Sequence, residues 1–172
     1  RDLDSGGCYL VFPPTRRVDD WITDAWTSVG AGVPDQFLQA AQLIELVKPA
    51  FRDRTVLSGY SLGGALAAYA ALRASWPVRA VVFDPLGLNR NMMGESGSGF
   101  FGQDEVLSDR YRYLDARVDW FYIANSWVAE GIYLRHLSSV GRVTELMHDP
   151  ARFDSHSLRN VRFGFHDLWT RK

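Results

Sequence analysis

The sequence GYSLGG at residues 59–64 constrains the fold of this chain more than any other feature. It is a G-x-S-x-G motif, preceded by a short apolar run at residues 54–58 and followed by an alanine- and leucine-rich stretch at residues 62–75. These flanks predict a strand, a sharp turn and a helix, the context in which this motif exposes a reactive serine. Glycines two residues before and after the serine let neighbouring backbone pass closely. The motif therefore indicates Ser61 as a nucleophile.

Size and charge favour a globular enzyme of one domain. The chain has 172 residues, 47% of them hydrophobic and 23% charged, so it can bury one sizeable core within a single domain covering residues 1–172. The formal net charge of −1 gives no electrostatic reason to expect nucleic acid as a partner. The arginines are scattered among acidic residues, which is typical of a solvated face.

The cysteine content and the first residues leave the cellular compartment open. Cys8 is the only cysteine, which excludes an intrachain disulfide. No uninterrupted apolar stretch is long enough to span a bilayer, and the N-terminal residues do not resemble a signal peptide. Because Arg1 is not an initiator residue, we expect the chain to be part of a longer polypeptide.

Strand-like and helix-like segments alternate along the first half of the chain. An apolar run at residues 8–12 ends at two prolines, and a helix with an apolar stripe begins at Pro34. A second buried strand is expected at residues 78–83. Together with the strand and helix around Ser61, this order predicts an α/β fold with a mostly parallel sheet and helices on both faces. The functional site is then expected at the carboxyl ends of the strands.

Three stretches resemble the class 3 (fungal-type) lipases and their bacterial relatives within the α/β-hydrolase fold. Residues 58–67, SGYSLGGALA, are close to that family's G-H-S-L-G-G-A-L-A. Residues 10–15, LVFPPT, followed by DWITD at residues 20–24, resemble its apolar strand, R-G-[ST] turn and D-W-x-x-D continuation. Residues 83–88, FDPLGL, are similar to its F-N-A-P-G. The resemblance implies a compact or truncated hydrolase fold that cleaves carboxyl esters of lipids.

The resemblance also implies an oxyanion hole, although the chain departs from the family at two places. Pro13 and Pro14 stand where the family has Arg-Gly, and Tyr60 stands where it commonly has histidine. By resemblance Thr15 supplies one backbone N–H to a tetrahedral oxyanion. The N–H of Leu62 is the second expected donor, because Leu62 directly follows the nucleophile.

A serine nucleophile needs a base and an acid that orients it, and in this fold the chain order is serine, acid, histidine. Asp119 is the first choice for the acid, because it follows a strand expected at residues 111–114. Asp115 and Asp84 remain alternatives, since Asp115 is close to Asp119 and Asp84 ends the strand after the nucleophile strand.

His156 is the first choice for the base. It follows the last expected strand, at residues 142–147, where the chain should return toward the serine. His166 is the alternative, because HDLW at residues 166–169 resembles the family's terminal His-Leu-Trp element.

A glycine-rich and apolar segment at residues 89–109 interrupts the regular pattern. It is either a mobile flap over a lipid-binding cleft or an ordered surface excursion. We expect the acyl group of a substrate to lie near four apolar side chains, those of Leu86, Leu88, Met92 and Phe100.

Other kinds of site find little support in the sequence. The chain has no P-loop and no dinucleotide fingerprint, so no cofactor is implied. The polar residues around His148 and His156 match no zinc or iron spacing, and no metal is expected. From the resemblance, the partners are a lipid or other ester, a membrane surface and, for a secreted or delivered bacterial effector, an inhibitory immunity protein. A small-molecule esterase or thioesterase, or a non-catalytic module on a degenerate hydrolase fold, are the alternatives.

Overall fold

The computed structural model of the chain describes residues 7–14, 33–51, 54–88, 92, 118–124, 141–151 and 156–170. Its strands are β1 (Cys8–Phe12), β2 (Thr55–Tyr60), β3 (Arg79–Phe83), β4 (Val118–Ile123) and β5 (Arg142–Leu146). Its helices are α1 (Asp35–Phe51), α2 (Leu62–Arg73) and α3 (Leu158–Thr170).

The strands form one parallel sheet. Within the described residues the sheet has five strands in the order β1-β2-β3-β4-β5, and each neighbouring pair is parallel. Parallel strands need crossover connections, which α1 supplies between β1 and β2 and α2 supplies between β2 and β3. The predicted β-α-β-α-β order and the α/β class are confirmed. All strands therefore end at the same edge of the sheet, where Ser61 follows β2.

Helices cover both faces of the sheet. On one face, Leu57, Val82 and Trp120 belong to a buried cluster with residues of α1 and α2. On the other, Ile123 and Leu146 pack with Val161 of α3. Because side chains alternate between the faces of a strand, each strand contributes to one cluster or the other at every second position. The predicted helices on both faces are present.

α2 is the central helix of the molecule. Every residue from Leu62 to Ala71 is buried, because the helix lies between the sheet and α1. Its alanines allow this close packing on two sides, and they also have the highest helix propensity. Phe37 of α1 meets Tyr69 of α2 edge to face, with ring centroids 5.4 Å apart. The helix that Ser61 directly precedes is therefore packed between the sheet and α1.

The later strands agree with the sequence to different degrees. β5 ends at Leu146, one residue before the end of the strand predicted at residues 142–147. The strand predicted at residues 111–114 lies outside the described residues, and the structure has β4 at Val118–Ile123 instead. Asp119, predicted to follow a strand, is therefore the second residue of one.

Candidate active site

Ser61 occupies the turn between β2 and α2. Its backbone has φ 56° and ψ −125°, and positive φ is uncommon for any residue other than glycine. Backbone hydrogen bonds hold this conformation: Ser61 N–H donates to Phe83 O at 3.1 Å, and Ser61 O accepts from Ala65 N–H at 3.1 Å and Leu86 N–H at 3.3 Å. The surrounding β3 and α2 thus stabilise a strained serine, as the motif predicts.

Two glycines of the motif let three backbone segments meet at the turn. A Cβ atom on Gly59 would lie 2.2 Å from the carbonyl carbon of Gly63. A Cβ atom on Gly63 would lie 2.1 Å from the carbonyl oxygen of Phe12, at the end of β1. No side chain fits at such distances, so only glycine allows the end of β1 to lie against the first turn of α2.

His156 lies two residues before α3 and reaches back to the serine. Its Nε2 is 2.9 Å from Ser61 Oγ, and its Nδ1 is 2.6 Å from Asp84 Oδ2. Because a carboxylate only accepts hydrogen bonds, Nδ1 carries the proton and Nε2 presents its lone pair to the serine hydroxyl. This is the arrangement that a general base needs.

The start of α3 fixes the position of His156. Asn160 N–H donates to Ser157 Oγ at 3.3 Å, so Ser157 acts as the N-cap of the helix. The fully buried Asn160 also accepts a hydrogen bond at Oδ1 from Asp149 N–H, at 3.4 Å. The chain is therefore anchored on both sides of His156.

Asp84 directly follows β3 and is held by β4. Its N–H donates to Phe121 O at 2.6 Å, and its Oδ1 accepts from Ile123 N–H at 3.1 Å. Its φ of 42° is a second positive value at this edge of the sheet. One carboxylate oxygen is thus fixed by the backbone of β4, which leaves the other aimed at His156.

The three side chains are almost completely removed from solvent. Ser61, His156 and Asp84 are 1%, 8% and 0% exposed. Burial strengthens hydrogen bonds between polar groups, and each of these side chains has a partner among the other two. The arrangement can therefore transfer a proton from a serine hydroxyl to a histidine that is oriented by a carboxylate.

The prediction of Asp119 as the orienting acid is wrong, and Asp84 holds that position. Asp119 lies at the beginning of β4, whereas His156 and Ser61 lie at the carboxyl ends of the strands. Its carboxylate instead accepts hydrogen bonds from Arg79 Nη2 at 2.8 Å and Arg142 Nε at 2.9 Å. A six-residue strand spans about 20 Å, so the start of β4 is far from the histidine.

The two arginines also change the acidity of Asp119. Burial by itself raises the pKa of its carboxyl group, but the hydrogen bonds and positive charges of Arg79 and Arg142 outweigh burial and lower the pKa from its usual value. The carboxylate thus ties the starts of β3, β4 and β5 together, which is a structural role.

The other predicted acids and bases lie elsewhere. His166 is exposed on α3, eight residues beyond the first residue of the helix, or about 12 Å along its axis. Asp115 lies outside the described residues. Among the residues that the structure describes, no group of three or more His, Cys, Asp and Glu side chains is placed to hold a metal ion.

Of the two predicted oxyanion donors, only Leu62 lies within the described residues, and its role as a donor stays a prediction. Leu62 is the first residue of α2, so its N–H has no acceptor within the helix and lies beside Ser61. Thr15 lies outside the described residues. Pro13 and Pro14 have no N–H to donate, and Gly63 packs against the carbonyl groups of Phe12 and Pro13.

The predicted acyl-binding residues are mostly part of the core. Leu86, Leu88 and Met92 are 7%, 0% and 6% exposed and belong to the cluster around α2. Leu86 is the nearest of them along the chain to Asp84, and its N–H bonds to Ser61 O. Phe100 lies outside the described residues, so a contact of these four side chains with an acyl group stays a prediction.

Sequence reasoning missed the contact of Tyr60 with His156. The two rings are stacked, with centroids 4.9 Å apart and planes 23° from parallel. One signal was present in the sequence, since Tyr60 stands where the lipases that it resembles commonly have histidine. The sequence does not indicate which residue Tyr60 contacts.

Of the chain's described helices, none is both long and apolar enough to cross a membrane.

No protein-family model matches the chain, and no curated protein sequence matches it significantly. The solved structures that are similar to it include two hydrolases. One is a thermophilic esterase from the planctomycete Thermogutta terrifontis with butyrate bound. The match covers 78% of this chain and 64% of the esterase chain, with 17% sequence identity and a TM-score of 0.39. Another is an S-formylglutathione hydrolase from Agrobacterium tumefaciens. The match covers 74% of this chain and 53% of the hydrolase chain, with 21% sequence identity and a TM-score of 0.35. This chain thus spans less than two thirds of either structure.

This chain has an α/β-hydrolase-like fold. The fold is recognised by the parallel sheet, the helices on both faces of the sheet and the strained serine between β2 and α2.

Proposed function

We propose that this chain is a serine carboxyl-ester hydrolase. The observation that carries the proposal is the hydrogen-bonded series from Ser61 Oγ through His156 to Asp84 Oδ2, buried at the carboxyl edge of the sheet. A strained serine at a strand-to-helix turn supports it further, because that turn holds the hydroxyl in line with the base.

In the first half of the reaction, Ser61 Oγ attacks the carbonyl carbon of the ester while its proton moves to His156 Nε2. Asp84 stabilises the imidazolium that forms and keeps Nδ1 protonated. The tetrahedral intermediate then collapses, the bond to the alkoxy oxygen breaks, and His156 gives its proton to the departing alcohol. An acyl group is left on Ser61.

In the second half, water attacks the acyl group on Ser61. His156 takes a proton from this water and returns it to Ser61 Oγ as the ester bond to the serine breaks. The carboxylic acid leaves, and the enzyme returns to its starting state. No group beyond the chain's own side chains and water is required for this balance of atoms.

The oxyanion of each tetrahedral intermediate needs hydrogen-bond donors. Leu62 N–H, at the start of α2, is one donor, and the positive end of the helix dipole at this position adds to its effect. The predicted second donor, Thr15, follows Pro13 and Pro14, whose lack of N–H groups makes Thr15 the first donor available after β1.

We propose a lipid ester as the substrate class. The resemblance of residues 58–67 to the lipase elbow supports this choice. The outer side of α3 supports it as well, since exposed Leu158, Phe163 and Trp169 alternate there with the exposed arginines 159 and 162. The acidic residue of this helix, Asp167, is half-buried. Apolar and cationic side chains on one helix suit the surface of an anionic membrane.

The hydrolase proposal is tested with a fluorophosphonate probe and peptide mapping of the adduct. We expect labelling of Ser61 in the wild-type protein and none in Ser61→Ala or His156→Ala. Labelling of Asp119→Asn at the wild-type rate is the matched control, because Asp119 lies at the opposite edge of the sheet. Folded wild-type protein that no fluorophosphonate labels would contradict the proposal.

The substrate class is tested with p-nitrophenyl esters of increasing acyl length and with phospholipid vesicles. A lipid hydrolase should release fatty acid from vesicles and should co-sediment better with anionic than with zwitterionic ones. Replacing Arg159 and Arg162 by glutamine should remove this preference while leaving hydrolysis of soluble esters unchanged. Activity on short soluble esters alone, with no binding to vesicles, would favour the small-molecule esterase instead.

A further inference from the structure

The ring of Tyr60 lies against the imidazole of His156. The centroids are 4.9 Å apart and the planes differ by 23°, which is a stacked arrangement. Tyr60 is the last residue of β2, immediately before Ser61, and it pairs in register with Phe83, immediately before Asp84. The stack is therefore built into the two strands that carry the serine and the carboxylate.

We propose that Tyr60 is a positioning residue for the base, a role that rests on the proposed hydrolase function. Its ring sets the plane of the His156 imidazole, so that Nε2 points at Ser61 Oγ while Nδ1 points at Asp84 Oδ2. Tyr60 acts through His156 and exchanges no proton with the substrate.

The two hydrogen bonds of His156 allow its ring to tilt, and the stacked ring of Tyr60 restrains this tilt. Bonds at Nδ1 and Nε2 fix the two ends of the imidazole, but they allow the ring to tilt about the line that joins the nitrogens. Hydrogen bonds weaken as they leave the plane of the donor or acceptor, so tilting misaligns the proton transfer. A flat ring packed on the face of the imidazole opposes the tilt.

The side chain of Tyr60 is held in place by apolar packing. Its side chain packs on the buried cluster of Ile123, Leu146 and Val161, which joins β4 and β5 to α3. Since α3 begins two residues after His156, the same cluster anchors the helix that follows the histidine and the ring that faces it. The position of His156 therefore depends on packing as well as on its two hydrogen bonds.

The stack also lowers the barrier to attack by Ser61. His156 becomes an imidazolium when it accepts the serine proton, and the face of an aromatic ring attracts a cation whose centre is within about 6 Å. The attraction grows as the proton moves, so it stabilises the transition state more than the resting enzyme. Replacing the ring by an aliphatic side chain should slow the attack of Ser61 by about 3- to 30-fold.

The test compares Tyr60→Phe and Tyr60→Leu with the wild-type protein. The first readout is the rate constant for labelling of Ser61 by the fluorophosphonate, which depends on activation of the serine. We expect Tyr60→Phe to keep the rate within about 2-fold and Tyr60→Leu to lose the full 3- to 30-fold. The second readout is the NMR shift of the His156 ring protons, which should move downfield when the stacked ring is absent. The matched control is Tyr9→Leu, an exposed tyrosine of β1, which should change neither readout.

Three outcomes would overturn the proposal, and they separate it from the proposed function. Tyr60→Leu that labels as fast as the wild type shows that the ring does not position His156. A rate in Tyr60→Phe as low as in Tyr60→Leu assigns the effect to the hydroxyl group instead of the ring. Folded wild-type protein without labelling overturns the hydrolase function itself, and the role of Tyr60 with it. Thermal unfolding of each variant distinguishes these results from loss of the fold.

Discussion

At the level of single residues, two aspartates of the sheet have different partners. Asp84 is fully buried, bonds to His156 at 2.6 Å and is fixed by the backbone of β4. Asp119 bonds to two arginines at the other edge of the sheet. Equivalent substitutions at the two positions therefore test different properties of the protein.

We expect Asp84→Asn to lower kcat/KM by roughly 10³- to 10⁴-fold, because an amide nitrogen can donate to Nδ1 and so stabilise the wrong tautomer of His156. Asp119→Asn should keep kcat/KM within about 2-fold, since its partners are Arg79 and Arg142. Steady-state hydrolysis of a p-nitrophenyl ester measures both variants. A loss in Asp119→Asn as large as in Asp84→Asn would return the acid role to Asp119.

Gly63 should tolerate no side chain. In Gly63→Ala the added Cβ would lie 2.1 Å from the carbonyl oxygen of Phe12, and because this neighbour is backbone, β1 has to move away from α2. We expect the free energy of unfolding to fall by about 1–3 kcal/mol, as in other overpacked sites. Urea denaturation measures this loss, and a variant as stable as the wild type would show that β1 does not lie against α2.

At the scale of elements, each member of the site comes from the junction after a different strand. Ser61 follows β2, Asp84 follows β3, and His156 lies between β5 and α3. Local patterns predicted β2, α2 and β5. The alanine-rich α2 has a high helix propensity, whereas TVLSGY of β2 and RVTEL of β5 contain β-branched residues that favour strands. The strand β4 at Val118–Ile123 was not predicted, because VDWFYI contains a charged residue that is more typical of a loop. The strand predicted at residues 111–114 stays a prediction.

The N-cap of α3 gives a prediction at this scale. Ser157→Ala removes the hydroxyl that accepts from Asn160 N–H, so it should lower the free energy of unfolding by about 0.5–2 kcal/mol. It should also slow labelling of Ser61, since His156 is the residue before the cap. Ser157→Asp keeps a capping oxygen and should restore stability in thermal unfolding. If alanine and aspartate behave alike, Ser157 does not cap the helix.

At the level of the whole molecule, different polar groups lie at the carboxyl ends and at the amino ends of the strands. The carboxyl edge carries the hydrogen-bonded series of Ser61, His156 and Asp84. At the amino edge, Asp119 joins β3, β4 and β5 through its two arginines. A substitution at the amino edge can therefore change the stability of the protein without touching Ser61, His156 or Asp84.

Acid should weaken the amino edge. The pKa of Asp119 is lower in the folded protein than its usual value, so its ionised form stabilises the fold at pH above that value. This contribution, about 1–3 kcal/mol for a hydrogen-bonded charge, is lost as pH falls below roughly 4 through the folded pKa. Urea denaturation between pH 3 and 7 should therefore show wild type and Asp119→Asn differing at neutral pH and converging in acid. A difference that does not change with pH would contradict this role.

Local sequence patterns were enough to predict the features that depend on residues close together in the chain. Ser61 is specified by a strand, a turn and a helix within about twenty residues, and the motif requires its glycines for steric reasons that hold in any such turn. The α/β class follows from the alternation of apolar strands and helices. Chain order and the position of the last predicted strand favoured His156 as the base, and the resemblance of HDLW at residues 166–169 kept His166 as the alternative.

The carboxylate and the aromatic ring that contact His156 are set by contacts between distant parts of the chain. Asp84 and His156 are 72 residues apart in the chain, and their contact depends on where β4 begins and on its register with β3. The stack of Tyr60 on His156 likewise depends on how α3 packs over the ends of β4 and β5. These contacts are set by long-range packing and strand register, and no local pattern of residue types encodes either.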